Sequence, residues 1–98
     1  MSTEPTSPTV THNLERSRFE IVIGDAQAIL DYHLSDGLMM ITHTFVPPEL
    51  RGQSIAGQLA EAAFDFAHAE RLKVVPQCSY IGVYAKRHPE VQRLMATH

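Results

Sequence analysis

The chain has 98 residues, of which 44% are hydrophobic and 19% are charged, and its formal net charge is −3. This length fits one domain, and the composition excludes a chain that is disordered throughout. Acidic residues outnumber basic ones, and no long basic run supplies the clustered Lys and Arg that phosphate neutralisation needs, so we expect no nucleic-acid partner.

Cysteine content and hydropathy indicate the compartment. The single cysteine, Cys78, cannot form an internal disulfide, which fits a reducing environment. No apolar stretch approaches the roughly 20 residues that a membrane span needs, and the N-terminus lacks the charged-then-apolar layout of a secretory signal. We therefore expect a cytoplasmic protein with no membrane partner. For its assembly we expect a monomer or a weak dimer.

Residues 1–17 are predicted to form a disordered tail without a role in the fold. Their first part is rich in Ser, Thr and Pro and has almost no apolar residues. Such a segment cannot bury enough apolar surface to offset the entropy of ordering it. A single domain is predicted for residues 18–98.

Three strands are predicted at the start of the domain, over residues 19–23, 26–34 and 38–45. Their residues are β-branched or aromatic, or alternate between apolar and polar, and Gly-Asp and Asp-Gly turn signals separate them. Alternation along the third strand puts His43 on the same face as Ile41, with Thr44 on the other. Consecutive strands joined by tight turns form an antiparallel meander.

A helical period replaces the strand period after residues 47–48, which are both proline. Apolar residues at helical spacing predict a long helix over 53–70. A short buried strand at 73–76, a second helix over 79–86 and a final short helix over 89–95 are expected to follow. This order predicts an α/β (α+β) domain, in which the third and fourth strands pair in parallel across a right-handed crossover.

The turn before the long helix has the features of a phosphate site. The first helical turn has free backbone N–H groups and the positive end of the helix dipole. Small side chains at Gly52, Ser54, Ala56 and Gly57 leave this surface bare, and Arg51 adds a positive charge. An ordinary tight turn could have the same residues, so the spacing alone leaves both interpretations open.

Three stretches, 46–59, 73–78 and 84–90, together resemble the small GNAT-like acetyltransferases. These form a compact branch of the GCN5-related N-acetyltransferase (GNAT) superfamily, and the resemblance extends over about residues 19–95. It implies a compact GNAT-like fold and an N-acetyltransferase that uses acetyl-CoA (coenzyme A) as its cosubstrate. The acceptor would be an amine, which could belong to a protein.

The resemblance also implies which residues contact the cosubstrate. The family's pyrophosphate loop reads Arg or Gln, two residues, Gly, one residue, Gly or Ala, which places Arg51 first, Ala56 last and Ser54 where Gly is usual. A positive φ at Ser54 would cost roughly 1–2 kcal/mol, whereas a negative φ would let its hydroxyl donate to a phosphate. The cosubstrate contacts expected from the resemblance are Phe45, Val46, Arg51, Gly52, Gln53, Ser54, Ile55, Ala56, Gly57, Tyr84 and Arg87.

Alternative roles remain open for two of these residues. Tyr84 could pack beside the cosubstrate or belong to the core. Arg87 could contact the distal end of coenzyme A, or could only complement the dipole at the end of its helix.

Two side chains are candidates for chemistry. Cys78 corresponds to a cysteine that the small GNAT-like branch has close to the acetyl group, although a free cysteine is often inert packing. Direct attack of the amine on the thioester, with Cys78 lining the acetyl pocket, is favoured over transfer through an acetylated Cys78. His43 could act as the base, or could form local hydrogen bonds only. No residues have metal-ligand spacing, so no metal is predicted.

The resemblance also shows what this chain lacks. GNAT domains are usually longer, with helices between the first two strands that help to form the acceptor site, whereas residues 23–26 allow only a hairpin turn. The acceptor groove is therefore expected to be open and shallow. Two alternatives to an enzyme stay open, which are an acyl-CoA-binding or Cys-acetylated module without turnover and a non-catalytic interaction domain.

Overall fold

The computed structural model describes residues 9–52 and 54–96. In these residues, five strands lie side by side in one sheet in chain order: β1 (Thr11–Asn13), β2 (Arg18–Ile23), β3 (Ala26–Ser35), β4 (Leu38–Phe45) and β5 (Lys73–Pro76). The helical elements are α1 (Ile55–Ala69), α2 (Ser79–Arg87) and two 3-10 segments, Pro48–Leu50 and Pro89–Leu94. β1 to β4 are antiparallel, whereas β4 and β5 are parallel. The predicted class, with its meander and parallel crossover, is confirmed.

The core lies between the two α-helices and one side of the sheet, which we call the helix face. The strands contribute Ile21, Leu30 and Ile41, α1 contributes Leu59 and Phe64, and none of these five is more than 2% exposed. Buried positions recur at every second residue along the strands and at every third or fourth residue along α1. No helix in the described part of the chain is long and apolar enough to cross a membrane.

The other side of the sheet, which we call the open face, has exposed side chains such as Val22, Gln27 and His33. An ion pair joins β2 to β3 on this side, with Arg18 Nε 2.6 Å from Asp31 Oδ1. The fold is therefore an open-faced sheet in which α1 and α2 cover one side.

The N-terminal segment takes part in the fold, contrary to prediction. Residues 1–8 of the predicted tail lie outside the described residues, but Thr11–Asn13 forms β1 and pairs with β2. His12 anchors it, because its ring stacks on Phe19 at 4.0 Å and its Nε2 lies 2.6 Å from the hydroxyl of Tyr32. The prediction of disorder is wrong for β1. The contacts of one residue, His12, hold this strand in place, and amino-acid composition does not reveal such contacts.

A β-bulge interrupts β4. Asp31 and Tyr32 are adjacent on β3, and the register shifts between them. Their partners on β4, His43 and Ile41, are two residues apart, so Thr42 is an extra residue. The hydroxyl of Thr42 donates a hydrogen bond to the carbonyl oxygen of Asp31 at 3.4 Å, which holds the bulge to its neighbour.

The bulge changes the side of the sheet on which the end of β4 presents its side chains. Thr44 pairs with the buried Leu30 and so lies on the helix face. His43 and Phe45 lie on the open face, where both are exposed. The prediction that His43 shares a face with Ile41 is therefore wrong, because strict alternation assumes that no residue is inserted.

The turn before α1 contains two residues in the left-handed region of backbone conformation. Gly52 has φ +85° and Ser54 has φ +61°. Ser54 is the N-cap residue of α1, but its side chain makes no capping hydrogen bond. Of the two alternatives for Ser54, the positive φ holds, so its Cβ is strained. Gln53, which was predicted to begin the helix, lies outside the described residues.

Replacing Ser54 with glycine is expected to stabilise the fold. Ser54→Gly should raise the free energy of unfolding by about 1 kcal/mol, because glycine adopts positive φ without steric cost and this gain exceeds its extra chain entropy. Urea unfolding measures the change. Ser79→Gly is the matched control, since Ser79 begins α2 without a positive φ and its replacement should destabilise the fold. Equal effects of the two substitutions would contradict the prediction.

The stability of the fold is expected to fall in mildly acidic solution because of His12. Burial lowers the pKa of His12 below its ordinary value of 6.5. The unfolded chain therefore binds more protons than the folded one below that value, and the free energy of unfolding decreases as the pH falls through it.

Urea unfolding of the native chain at about pH 7.5 and about pH 5.5 tests this dependence on His12. His12→Gln should reduce the difference between the two conditions, and His33→Gln, at an exposed position, should preserve it. A difference that is the same in the native chain and in His12→Gln would refute the assignment.

Candidate functional site

A cleft of about 180 Å³ lies at the start of α1, and we call it the turn cleft. It is lined by Val46, Leu50, Arg51, Gly52, Ser54, Ile55, Ala56, Gly57 and Tyr80. Most of the cosubstrate contacts predicted from the sequence are thus brought together. The side chain of Ile55 is only 1% exposed and packs in the core.

The first turn of α1 offers hydrogen-bond donors to the turn cleft. The backbone N–H groups of a helix's first turn have no partner within the helix. Here the side chain of Ser54 does not cap them, and no acidic residue lies in that turn to offset the helix dipole. Gly57 has no side chain to occupy the cleft. A Cβ at this position would contact the hydroxyl of Tyr80 at 3.8 Å. The cleft therefore combines bare N–H groups with uncompensated positive potential.

Arg51 is fixed at the mouth of this cleft. Its Nε donates a hydrogen bond to the carbonyl oxygen of Val46 at 3.0 Å, and its side chain is exposed. That bond ties the arginine to the end of β4 and leaves the two terminal nitrogens of the guanidinium to contact an anion.

A second cleft, of about 400 Å³, adjoins the first and lies between α1 and α2. We call it the helix cleft. It shares Ser54, Gly57 and Tyr80 with the turn cleft and continues along Gln58, Glu61, Val83, Tyr84, Arg87 and His88. Because three residues line both, the two clefts form one continuous groove across the start of α1.

Tyr84 forms a rigid wall of the helix cleft. It is 8% exposed, stacks on His88 at 3.9 Å and faces Phe64 at 5.7 Å. Burial, assisted by nearby carboxylates of which Glu61 is the foremost, raises the pKa of Tyr84 to about 12. Its phenol therefore stays protonated at neutral pH. The residue both packs in the core and lines the cleft, so the two alternatives from the sequence are not exclusive.

Sequence reasoning missed Tyr80, which lines both clefts. Burial, more than any charge, raises the pKa of Tyr80, while Arg87 opposes the rise and Cys78 adds to it. The position of Tyr80 could have been found from Tyr84, since residues four apart lie on the same face of a helix.

Cys78 lies where β4 and β5 part. The parallel pairing ends at Ile41 and Pro76, and the N–H of Gln77 makes a last bond to the carbonyl of Ile41 at 3.0 Å. Cys78 follows as the N-cap residue of α2, half-buried, with its Sγ 3.5 Å from Oγ1 of Thr44. The thiol thus lies on the helix face, at the separation of the two strands.

The other chemical candidate lies on the opposite side of the sheet. His43 is exposed on the open face, across from Asp31, whose carboxylate is held by Arg18. Phe45 shares that face and is 44% exposed. Neither His43, Phe45 nor Cys78 lines either cleft, so these three predicted site residues are not brought into the groove. Gln53 lies outside the described residues.

The described side chains form no candidate metal site. Over residues 9–52 and 54–96, no group of three or more His, Cys, Asp or Glu side chains is arranged to hold a metal ion.

Known proteins are similar to this chain in sequence and in fold. A profile of the GCN5-related N-acetyl-transferase family matches residues 18–94. Protein NATD1 of Mus musculus is 35% identical over 88 residues, covering 87% of this chain and 80% of that protein. Protein NATD1 of Homo sapiens is also 35% identical over 88 residues, covering 87% of this chain and 78% of that protein.

A solved structure agrees with this relationship. The NMR solution structure of a GCN5-like protein from Staphylococcus aureus matches this fold with a TM-score of 0.75 at 23% identity, over 96% of this chain and 93% of that one. The likeness shows a common fold. Since the family profile also spans most of the sequence, the chain belongs to the GCN5-related N-acetyltransferase family.

Proposed function

We propose that this chain binds acetyl-CoA along the groove formed by the two clefts and transfers the acetyl group to an amine by direct attack on the thioester. The observation that carries the proposal is the start of α1, where uncapped N–H groups, an uncompensated dipole and Arg51 meet at a cleft. This is an anion site, and family membership makes the diphosphate of coenzyme A its natural occupant.

The size and chemistry of the groove fit the rest of the nucleotide. A diphosphate on the first turn of α1 would continue into the helix cleft, whose volume is about 400 Å³. Tyr80 and Tyr84 would give its base apolar contact, and Arg87 would supply a cation for a further phosphate. The two arginines, Arg51 and Arg87, would then hold the cosubstrate at two points.

The acetyl end would reach the parting of β4 and β5. Past Ile41, β4 continues for four residues, Thr42–Phe45, beyond its last pairing with β5, so an extended ligand could lie along it. Acetyl-CoA supplies an activated acyl group, whose carbonyl carbon accepts the amine lone pair as the C–S bond breaks and the thiolate leaves. Cys78 would line the acetyl group from the helix face.

The amine would arrive from the open face. His43 is exposed there and would take the proton that the attacking amine loses. This face is broad and neither the turn cleft nor the helix cleft opens on it, which suits a polypeptide acceptor better than a small molecule. The expectation of an open, shallow acceptor groove is in line with this geometry.

One observation favours a second candidate function, an acyl-CoA-binding module without turnover. His43 and Cys78 lie on opposite faces of the sheet and neither lines the groove, so a bound ligand could lack a catalytic partner. An interaction domain that has lost the ligand is the third candidate, which the strain at Ser54 would favour.

Binding of acetyl-CoA is expected to stabilise the chain. A thermal melt with about millimolar acetyl-CoA, or with free coenzyme A, should raise the midpoint by mass action. Arg51→Gln should weaken the affinity about five- to tenfold, because it removes one charge-assisted contact to phosphate. Arg71→Gln is the control, since Arg71 is exposed and lies beyond the opposite end of α1. No shift with either ligand would refute the proposal and its binding alternative.

Turnover distinguishes the enzyme from the module, and the direct route from the covalent one. His43→Gln should lower kcat about a hundredfold, the loss expected for a general base, without changing the Kd of acetyl-CoA. Cys78→Ala should lower kcat only about tenfold, because it removes a pocket wall and not a nucleophile. Complete loss in Cys78→Ala, together with an acetyl adduct on Cys78 by mass spectrometry, would contradict direct attack. Absence of turnover in the native chain, despite binding, would favour the module.

A further inference from the structure

A hydrogen bond between the side chains of Cys78 and Thr44 joins the separating ends of β4 and β5. The backbone pairing of the two strands ends at Ile41 and Pro76, with a last bond from the N–H of Gln77 to the carbonyl oxygen of Ile41. Beyond that point Cys78 Sγ and Thr44 Oγ1 lie 3.5 Å apart, 34 positions apart in the sequence. The contact therefore spans the parting at which the acetyl group would lie.

The bulge brings Thr44 to this position. Without the bulge, strict alternation from the buried Ile41 would place Thr44 on the open face, away from Cys78. With it, Thr44 lies on the helix face and is half-buried. Thr42 holds the bulge through its own hydroxyl, which donates to Asp31. The bulge therefore places the Thr44 hydroxyl next to the Cys78 thiol.

Thr44 restricts what the Cys78 side chain can do. A cysteine at the N-cap of a helix can rotate about χ1 between staggered positions. The threonine hydroxyl accepts the thiol hydrogen, and its own hydrogen remains free to donate to a second acceptor. This hydrogen bond therefore favours the χ1 rotamer of Cys78 in which the thiol points across the gap between β4 and β5. Thr44 is itself stiff about χ1, because it is β-branched.

We propose that Thr44 is a positioning residue, which holds the Cys78 thiol across the parting of β4 and β5 and so fixes the wall against which the acetyl group rests. This role depends on the proposed acetyl transfer and deepens it. A wall in one position limits the orientations of the thioester, and orientation contributes directly to the rate of attack. Thr44 acts through Cys78 and does not itself take part in the reaction.

The contact can be tested without activity, because Cys78 is the single cysteine of the chain. The S–H stretching band in the infrared spectrum then reports one thiol, and hydrogen bonding moves it to lower frequency. Thr44→Val keeps the β-branched shape and removes the hydroxyl, so the band should move to higher frequency. Thr44→Ser should leave it near the native position, and Cys78→Ser should abolish it. An unchanged band in Thr44→Val would overturn the proposal.

Kinetics then tests positioning. Thr44→Val should lower kcat about tenfold, with the KM for acetyl-CoA changed less than about twofold, and Thr44→Ser should restore most of the rate. In the Cys78→Ala background, Thr44→Val should have no further effect, since the side chain that it positions is gone. Equal losses in the Val and Ser variants, or a loss that persists without Cys78, would overturn the role.

The two proposals can fail separately. A native chain that binds no acetyl-CoA, or does not turn it over, refutes the acetyl transfer and with it the role of Thr44 in that reaction. An active native chain whose Thr44→Val variant retains full kcat refutes the positioning role alone.

Discussion

The candidate site depends on the place where β4 and β5 stop pairing. Their last backbone hydrogen bond runs from the N–H of Gln77 to the carbonyl oxygen of Ile41, one residue past Pro76. The chain then leaves the sheet, and the next residues begin α2 at Cys78. The partner strand continues to Phe45, so its last residues have no β5 neighbour in the described structure. The gap and the helix that borders it thus both begin where the chain leaves β4 after Gln77.

The bulge in β4 determines which side chains border that gap. It reverses the faces of the residues that follow it, so that His43 lies on the open face and Thr44 on the helix face. In the proposed function, the cosubstrate binds on the helix face and the acceptor approaches from the open face, so that one sheet serves both. The same separation explains why the two residues expected to do chemistry, His43 and Cys78, are not neighbours. If both act, they act on the same carbonyl from opposite sides.

Sequence patterns predicted the fold well because most of it follows simple periods. The stripe that includes Leu59 on α1 and the alternation of β3 determine which faces are buried, and both patterns are uninterrupted. The turn before α1 was predicted from glycine and small residues, and all its described members line one cleft. These are local properties, which a sequence shows directly.

The features that the sequence did not reveal depend on contacts between distant residues. The extra residue Thr42 is stabilised by a bond to Asp31 on another strand, and nothing in the run of β4 marks it. β1 depends on His12 meeting Phe19, Tyr32 and, at 4.6 Å, Phe66. A segment of three residues has too little pattern to predict alone. Because the bulge selects the faces of His43, Thr44 and Phe45, the fold was easier to predict than the site.

The small size of the chain explains the division of roles between the two faces. A domain of this length can build about one core, and α1 and α2 occupy the helix face with it. The open face is left with exposed apolar groups, including Val22 at 61% and Phe45 at 44%. A protein acceptor could cover them during each encounter, whereas a small molecule could not. In the proposed function, the cosubstrate uses the helix face, where folding has already shaped a groove, and the acceptor uses the open face.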